Sequence, residues 1–273
     1  MILAGDVGGT KATLILFEEN AGGLHAIYRF TTPIKHFNNV QELLESFLET
    51  AAGQGFSFRN GGLAAASLGV AGAVVEDRVV STNLPWEIDS RTVANHLRLP
   101  SERVLLLNDL VAWAASLEHL KPADLMQLNG GTAQPKAPKA LIAAGTGLGE
   151  AILFWDGTRY RICPSEASLT DFGPRNDREL LLLQSLRQRM PRVCTEEIVS
   201  GRGFRAIHQI IFPGVHHTFF DEPVDPAAKI TQQALAGSCP ACEETLHIWM
   251  EAYGAEAGNM ALRVLPFGGV YIA

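Results

Sequence analysis

Cysteine is scarce in this chain, with four residues in 273 and no dense cluster. Disulfide frameworks belong to small secreted scaffolds, so that class is excluded and a reducing, cytoplasmic setting is expected. Basic charge is also short. Lys and Arg total 22 against 29 Asp and Glu, a formal net charge of −7. Broad nucleic-acid binding calls for a basic surface, so nucleic acid is not an expected partner. Long apolar runs are missing too. The most apolar stretch, Ala140 to Trp155, is broken by three glycines, a threonine and Glu150, and no membrane span is expected. The first residues lack a basic leader and meet Asp6 at once, so they do not read as a signal peptide. The common nucleotide fingerprints are absent as well. No GxxxxGK(S/T) occurs, and Glu150 stands where a dinucleotide motif beginning at Gly145 would need its third glycine. Strand-like sequence follows that turn where a dinucleotide fold would have a helix.

What is present suits a folded α/β protein. Apolar residues make up 47% of the chain and charged residues 19%, enough for a sizeable core. The length predicts roughly two domains. Ile2 to Val7, Ala12 to Phe17 and Ala26 to Thr32 read as three strands joined by turns at Gly8-Gly9-Thr10-Lys11 and at Glu18 to Gly23. Asn39 to Ala52 reads as a helix with Val40, Leu43, Leu44 and Phe47 on one side. Leu63 to Val70 and Val104 to Leu107 are further strands, with helical Arg91 to Leu97 between them. The pattern then restarts. Ile142-Ala143-Ala144 leads into Gly145-Thr146-Gly147, then Glu150 to Trp155, a turn at Asp156-Gly157, and Arg159 to Cys163. Aligning Gly8 with Gly145 gives an offset of 145 − 8 = 137 residues and lays Ile15-Leu16-Phe17 on Ile152-Leu153-Phe154. A period this long is domain-sized. Helices are expected afterwards over Asp177 to Arg189, Gly201 to Ile211, Ala227 to Ala236 and Ala241 to Leu265.

Two glycine turns and two acids carry the chemistry. Successive small residues expose backbone N–H groups that can converge on an anion, and Thr10 or Thr146 adds a hydroxyl. Asp6, closing a buried strand, is placed to hold hydrated magnesium. Each turn alone also reads as a plain structural hairpin. Asp109 follows the apolar strand Val104 to Leu107 and Asn108, and it heads a helical stretch from Leu110. Asn or Asp at such a junction is ordinarily a helix cap. The same position favours an ionised carboxylate able to take a hydroxyl proton.

The order of these segments resembles the bacterial glucokinases of the hexokinase–actin ATPase superfamily. The likeness runs along the whole chain: DVGGTKATL from Asp6, GVAGAV from Gly69, TNLPW from Thr82, LLNDLVAWA from Leu106, AAGTGLGEA from Ala143, PSE and DFGPRND around 164–177, EEIVSG from Glu196, YGAEAGNMAL, and GGVYIA near the end. It implies an α/β two-domain actin-like ATPase fold, ribonuclease H-like, with a duplicated core and an interdomain cleft. Residues 1–109 would form the small domain and 110–273 the large one. It implies transfer of the γ-phosphate of ATP to the 6-hydroxyl of glucose or a related hexose, with Mg2+, in a possible homodimer. Asp109 matches the catalytic base. Asn108, Glu166, Glu196 and Asn83 match sugar-binding positions. Asp6, Gly8, Gly9, Thr10 and Lys11 match the first phosphate loop, with Asp6 as metal ligand, and Gly145, Thr146 and Gly147 match the second.

Two departures qualify the resemblance. The family pattern E-G-G-H reads Glu166-Ala167-Ser168-Leu169 here, which removes a histidine that contacts sugar and two glycines that would be needed if the loop takes positive φ. The family also continues past GGVYIA, so the chain is expected to be C-terminally truncated, to leave the large domain incomplete, and to stop on a buried strand with impaired ATP binding. These departures keep a second reading open, a weak or inactive relative that binds sugar as a sensor.

Other features read as structural. Cys239-Pro240-Ala241-Cys242 is a CxxC without a second pair, and its nearest sequence neighbour with metal-binding chemistry is His247. It reads as a helix start. His216-His217 reads as a surface or dimer contact. Leu246, Met250, Tyr253, Ala257 and Met260 read as the core stripe of a helix.

Overall fold

A computed structural model describes residues 1–273 except 22, 59–61, 81–83, 85 and 223. Asn83, one of the expected sugar-binding residues, lies outside the described residues. The chain forms two compact units, Met1–His119 and Leu120–Ala273. The expected boundary after Asp109 falls at the head of a helix that belongs to the first unit.

The first unit begins with β1 (Ile2–Val7), β2 (Lys11–Asn20) and β3 (Gly23–Pro33), followed by α1 (Val40–Gly53) and β4 (Ala65–Val70). Three short strands, β5 (Ala73–Val75), β6 (Arg78–Val80) and β7 (Ile88–Asp89), make a separate small sheet. Then come α2 (Ser90–Leu97), β8 (Val104–Asn108) and α3 (Asp109–Ser116). The main sheet has the order β3-β2-β1-β4-β8. Its first three strands are antiparallel, and β4 and β8 run parallel to β1. Alternation along β2 buries Ala12, Leu14 and Leu16 against α1, whose Val40, Leu43, Leu44, Phe47 and Ala51 recur at helical spacing. Asn39 starts α1 by accepting the Glu42 N–H at 2.9 Å.

The second unit repeats the plan. It holds β9 (Lys139–Ala144), β10 (Leu148–Trp155), β11 (Tyr160–Ser165), α4 (Asp177–Arg187), α5 (Gly201–Ile211), α6 (Pro226–Leu235), α7 (Pro240–Val264) and β12 (Val270–Ile272). The sheet order is β11-β10-β9-β12, with β12 parallel to β9 and the others antiparallel. This is the order and sense of β3-β2-β1-β4. Ala140, Ile142 and Leu148 pack with Ile207 of α5 and with Ile248, Ala252 and Met260 of α7.

The repeat stands, but one detail of its alignment does not. In the first unit Val7 pairs with Ala12, leaving residues 8–11 in the turn. In the second, Ala144 pairs with Leu148, leaving only residues 145–147. The second turn is therefore one residue shorter. The partner of Leu3 is Leu16, and the partner of the matching Ala140 is Ile152. Leu16 thus corresponds to Ile152, and the match of Ile15-Leu16-Phe17 to Ile152-Leu153-Phe154 is one residue out of register. Two other expectations also change. The last strand is not buried: β12 lies at the edge of its sheet, where Val270 is 37% and Ile272 47% exposed. Met250 is 55% exposed, so it leaves the core stripe of α7 that Ala257 and Met260 keep.

Candidate active site

In the first unit the parallel strands β1, β4 and β8 end side by side, with Asp6 opposite Gly69 and Val70 opposite Asn108. Ligands of α/β sheets gather outside such carboxyl ends. The turn after β1 is closed by the Gly8 N–H donating to the Lys11 carbonyl at 3.0 Å, and the Thr10 carbonyl accepts from the Ile34 N–H at 3.0 Å. Gly9, Thr10 and Lys11 are exposed. Asp6 is exposed, and its carboxylate forms no hydrogen bond or ion pair among the described residues. α3 packs closely on Gly69. A Cβ there would lie 3.2 Å from Ala112 Cβ, so Ala112 would have to give by a few tenths of an ångström to admit it.

Asn108 and Asp109 meet the head of α3 in different ways. Asn108 is the cap: its Oδ1 accepts from the N–H groups of Leu110 (3.0 Å) and Val111 (3.2 Å), and its Nδ2 donates to the Gly72 carbonyl at 3.0 Å. One amide hydrogen of Asn108 is left over for a ligand. Asp109 is half-buried and accepts the Leu110 N–H at 2.8 Å. Burial raises its pKa above the usual carboxylate range. The Leu110 N–H opposes that shift, and the nearby Asp6 charge adds to it. The helix N-terminus favours the anion, yet burial and the neighbouring acid prevail. Its carboxyl holds a proton more tightly than an ordinary aspartate.

In the second unit the turn Gly145–Gly147 lies against Glu196. Glu196 sits in a 3₁₀ turn, Thr195–Glu197, and its Oε2 accepts the Leu148 N–H at 2.9 Å. Its other oxygen pairs with Arg202. A Cβ on Gly147 would fall 2.6 Å from Glu196 Oε2, so glycine makes room for this carboxylate. The Gly145 carbonyl also accepts the Gly201 N–H at 2.8 Å, tying the turn to the head of α5. Neither glycine turn places a glycine at positive φ, so no glycine there is needed for its backbone conformation.

Glu166 follows β11 and precedes the 3₁₀ turn Ala167–Leu169. Its carboxylate is exposed. The Thr195 N–H donates to the Thr170 carbonyl and the Phe172 N–H to the Val193 carbonyl, both at 3.0 Å, so the segments carrying Glu166 and Glu196 run side by side. Ala167, Ser168 and Leu169 have no positive φ, so losing the paired glycines strains nothing there. Leu169 is 44% exposed beside Glu166 and offers no polar atom.

Sequence reading did not anticipate Arg202, the partner of both Glu196 and Glu197. No local pattern marks it, because the pairing depends on how α5 meets the preceding turn. It also missed Glu150, which is 1% exposed and whose Oε1 has no hydrogen-bond partner among the described residues. Burial and the Glu256 charge push its carboxyl up to about 7, with Arg263 opposing them.

The chain and its fold are similar to known proteins. The profile of the Glucokinase family matches residues 3–273. A glucokinase of Nostoc sp. (strain PCC 7120) is 37% identical over 293 residues, covering 100% of this chain and 83% of the Nostoc protein. The crystal structure of a glucokinase from an Antarctic psychrotroph superimposes with a TM-score of 0.76 at 26% identity, covering 99% of this chain and 81% of that one. A ROK family glucokinase from Streptomyces griseus, solved with glucose and AMPPNP, has a TM-score of 0.63 at 19% identity, covering 100% of this chain and 82% of that one, and shares the actin-like ATPase fold. With its family profile matched nearly end to end and its duplicated α/β plan shared, the chain belongs to the glucokinase family of ATP-dependent hexose kinases.

Proposed function

We propose that the chain transfers the γ-phosphate of ATP to the 6-hydroxyl of glucose, giving glucose 6-phosphate and ADP. The observation that carries this reading is Asp109, a half-buried carboxylate of raised proton affinity at the carboxyl ends of the parallel strands. A general base works best when its pKa approaches the working pH. In the proposed step the Asp109 carboxylate takes the proton of the sugar hydroxyl. The hydroxyl oxygen bonds to the γ-phosphorus, the bond from that phosphorus to the bridging oxygen of ADP breaks, and the proton leaves to solvent afterwards.

The other residues position the reactants. Glu166 and Glu196 accept hydrogen bonds from sugar hydroxyls, and the free amide hydrogen of Asn108 donates one. Asn83 belongs to the same proposed set. Gly8, Gly9, Thr10 and Lys11 of the first turn, and Gly145, Thr146 and Gly147 of the second, hold phosphate oxygens. Phosphoryl transfer is chiefly positioning and charge stabilisation, which suits such a set. Mg2+ fits the donors present: Asp6 is an exposed oxygen ligand with no other hydrogen-bond partner among the described residues, and it crowds Asp109 with like charge. When bound, the ion neutralises phosphate charge.

ADP release measured with glucose, mannose and fructose tests the assignment. Turnover highest with glucose supports it. Measurable sugar binding without turnover on any of the three overturns it.

A further inference from the structure

The sequence offers Cys239 and Cys242 as a pair without partners, and the fold supplies partners from elsewhere. Cys239 caps α7 and Cys242 lies in its first turn. His217, on the segment between α5 and α6, places its Nε2 3.6 Å from both sulfurs. His208, on α5, is 0% exposed, and neither ring nitrogen has a hydrogen-bond partner among the described residues. Ligand atoms of His208, His217 and Cys242 lie within 4.8 Å of one another. His247, the expected neighbour of the cysteines, pairs instead with Glu251 on the surface of α7. His216 is the member of the histidine pair that points outward, to Asp221 at 2.8 Å.

We propose that His208, His217, Cys239 and Cys242 form a structural zinc site. Zinc takes thiolate sulfur at about 2.3 Å and imidazole nitrogen at about 2.0 Å in tetrahedral geometry. Those lengths put N and S about 3.5 Å apart across the metal, close to the 3.6 Å seen here. All four positions come from protein, which leaves no open position for a substrate. The site therefore serves structure, joining α5, the segment through His217 and the head of α7.

Charge and packing are consistent with this assignment. On binding, Zn2+ displaces one proton from each thiol, and the two thiolates neutralise the ion. A buried neutral centre avoids the cost of an unpaired charge. Cys239 caps the N-terminus of α7. Its sulfur already accepts the Cys242 N–H at 3.3 Å, a contact that orients a ligand. Phe219 stacks on His217 with ring centres 4.8 Å apart and Phe220 lies 5.1 Å from His208, so aromatic rings cover both imidazoles, while Gln233 Oε1 accepts from Cys242 Sγ at 3.5 Å. A ring nitrogen of His208 that has no hydrogen-bond partner among the described residues gains one in the metal.

Metal content and cobalt titration of the purified full chain, carrying no affinity tag, test the proposal. The expected result is one zinc per chain. After chelation, Co2+ should restore thiolate-to-cobalt charge-transfer absorption that saturates at one equivalent. Cys239→Ser and His217→Ala should each weaken Co2+ binding at least tenfold. Cys163→Ser and His216→Ala should titrate like the parent. Should the ligand variants fail to fold, alkylation of the parent decides: zinc should protect Cys239 and Cys242 and leave Cys163 reactive. The proposal is overturned by an absence of bound metal together with no charge-transfer band, by an unchanged spectrum in both ligand variants, or by zinc that protects neither cysteine.

Discussion

Leu169 shows how one side chain can set the strength of a binding site. It is half-exposed next to Glu166, where a polar group could meet a sugar hydroxyl and leucine cannot. A buried hydrogen bond is worth about 1 kcal/mol or more, roughly a fivefold change in affinity. Leu169→His is therefore expected to lower the KM for glucose at least about fivefold with kcat little changed, as read from initial-rate kinetics. Gly147 is a second such point, because its missing Cβ admits Glu196 Oε2. Gly147→Ala should displace that carboxylate and break its bond to the Leu148 N–H. The expected cost is about 1–3 kcal/mol, seen as a lower denaturant midpoint and weaker ATP binding by calorimetry. The glycine was legible in the sequence as part of a turn. The reason for it was not, since Glu196 approaches from 196 − 147 = 49 residues further along the chain.

At the scale of elements, α3 depends on its cap. Asn108 Oδ1 accepts two N–H groups of the first turn, those of Leu110 and Val111, and shares the first with Asp109. Asn108→Ala should lower stability by about 1 kcal/mol, within the range measured for lost caps, and Asn108→Asp should recover most of it in thermal unfolding. A parallel fall in sugar affinity with Asn108→Ala, absent from the stability comparison, would report its second role. Elements with strong local patterns were readable in advance. The apolar spacing of α1 and the full extent of α5 follow from residues close in sequence. The sheet β5-β6-β7 was not foreseen, because strands of two or three residues carry too little alternation to see. The cysteine pair does start a helix, as its sequence suggests; its contact with His217 was not legible, because His217 lies 22 residues from Cys239 and meets it only when α5 and α7 pack. Likewise, the one-residue shortening of the second turn is invisible until strand pairing fixes it.

At the scale of the whole molecule, stability should depend on pH through Glu150. Its carboxyl rises from 4.5 to about 7 on folding, so between those values the folded chain binds the proton more tightly than the unfolded one. Stability therefore falls as pH rises through that window, and the full penalty, at most about 3 kcal/mol, is present above about pH 7. Glu150→Gln should flatten this slope and raise stability at pH 8 by about 1–3 kcal/mol in denaturant titrations across the range. The central claim concerns turnover, and Asp109→Asn tests it most directly. The amide can still accept the Leu110 N–H, so the helix head is kept while the base is removed. ADP release with glucose should fall at least about 100-fold, with unchanged circular dichroism and melting temperature. Turnover within a few-fold of the parent would contradict Asp109 as the base and, with it, the proposed reaction at this site.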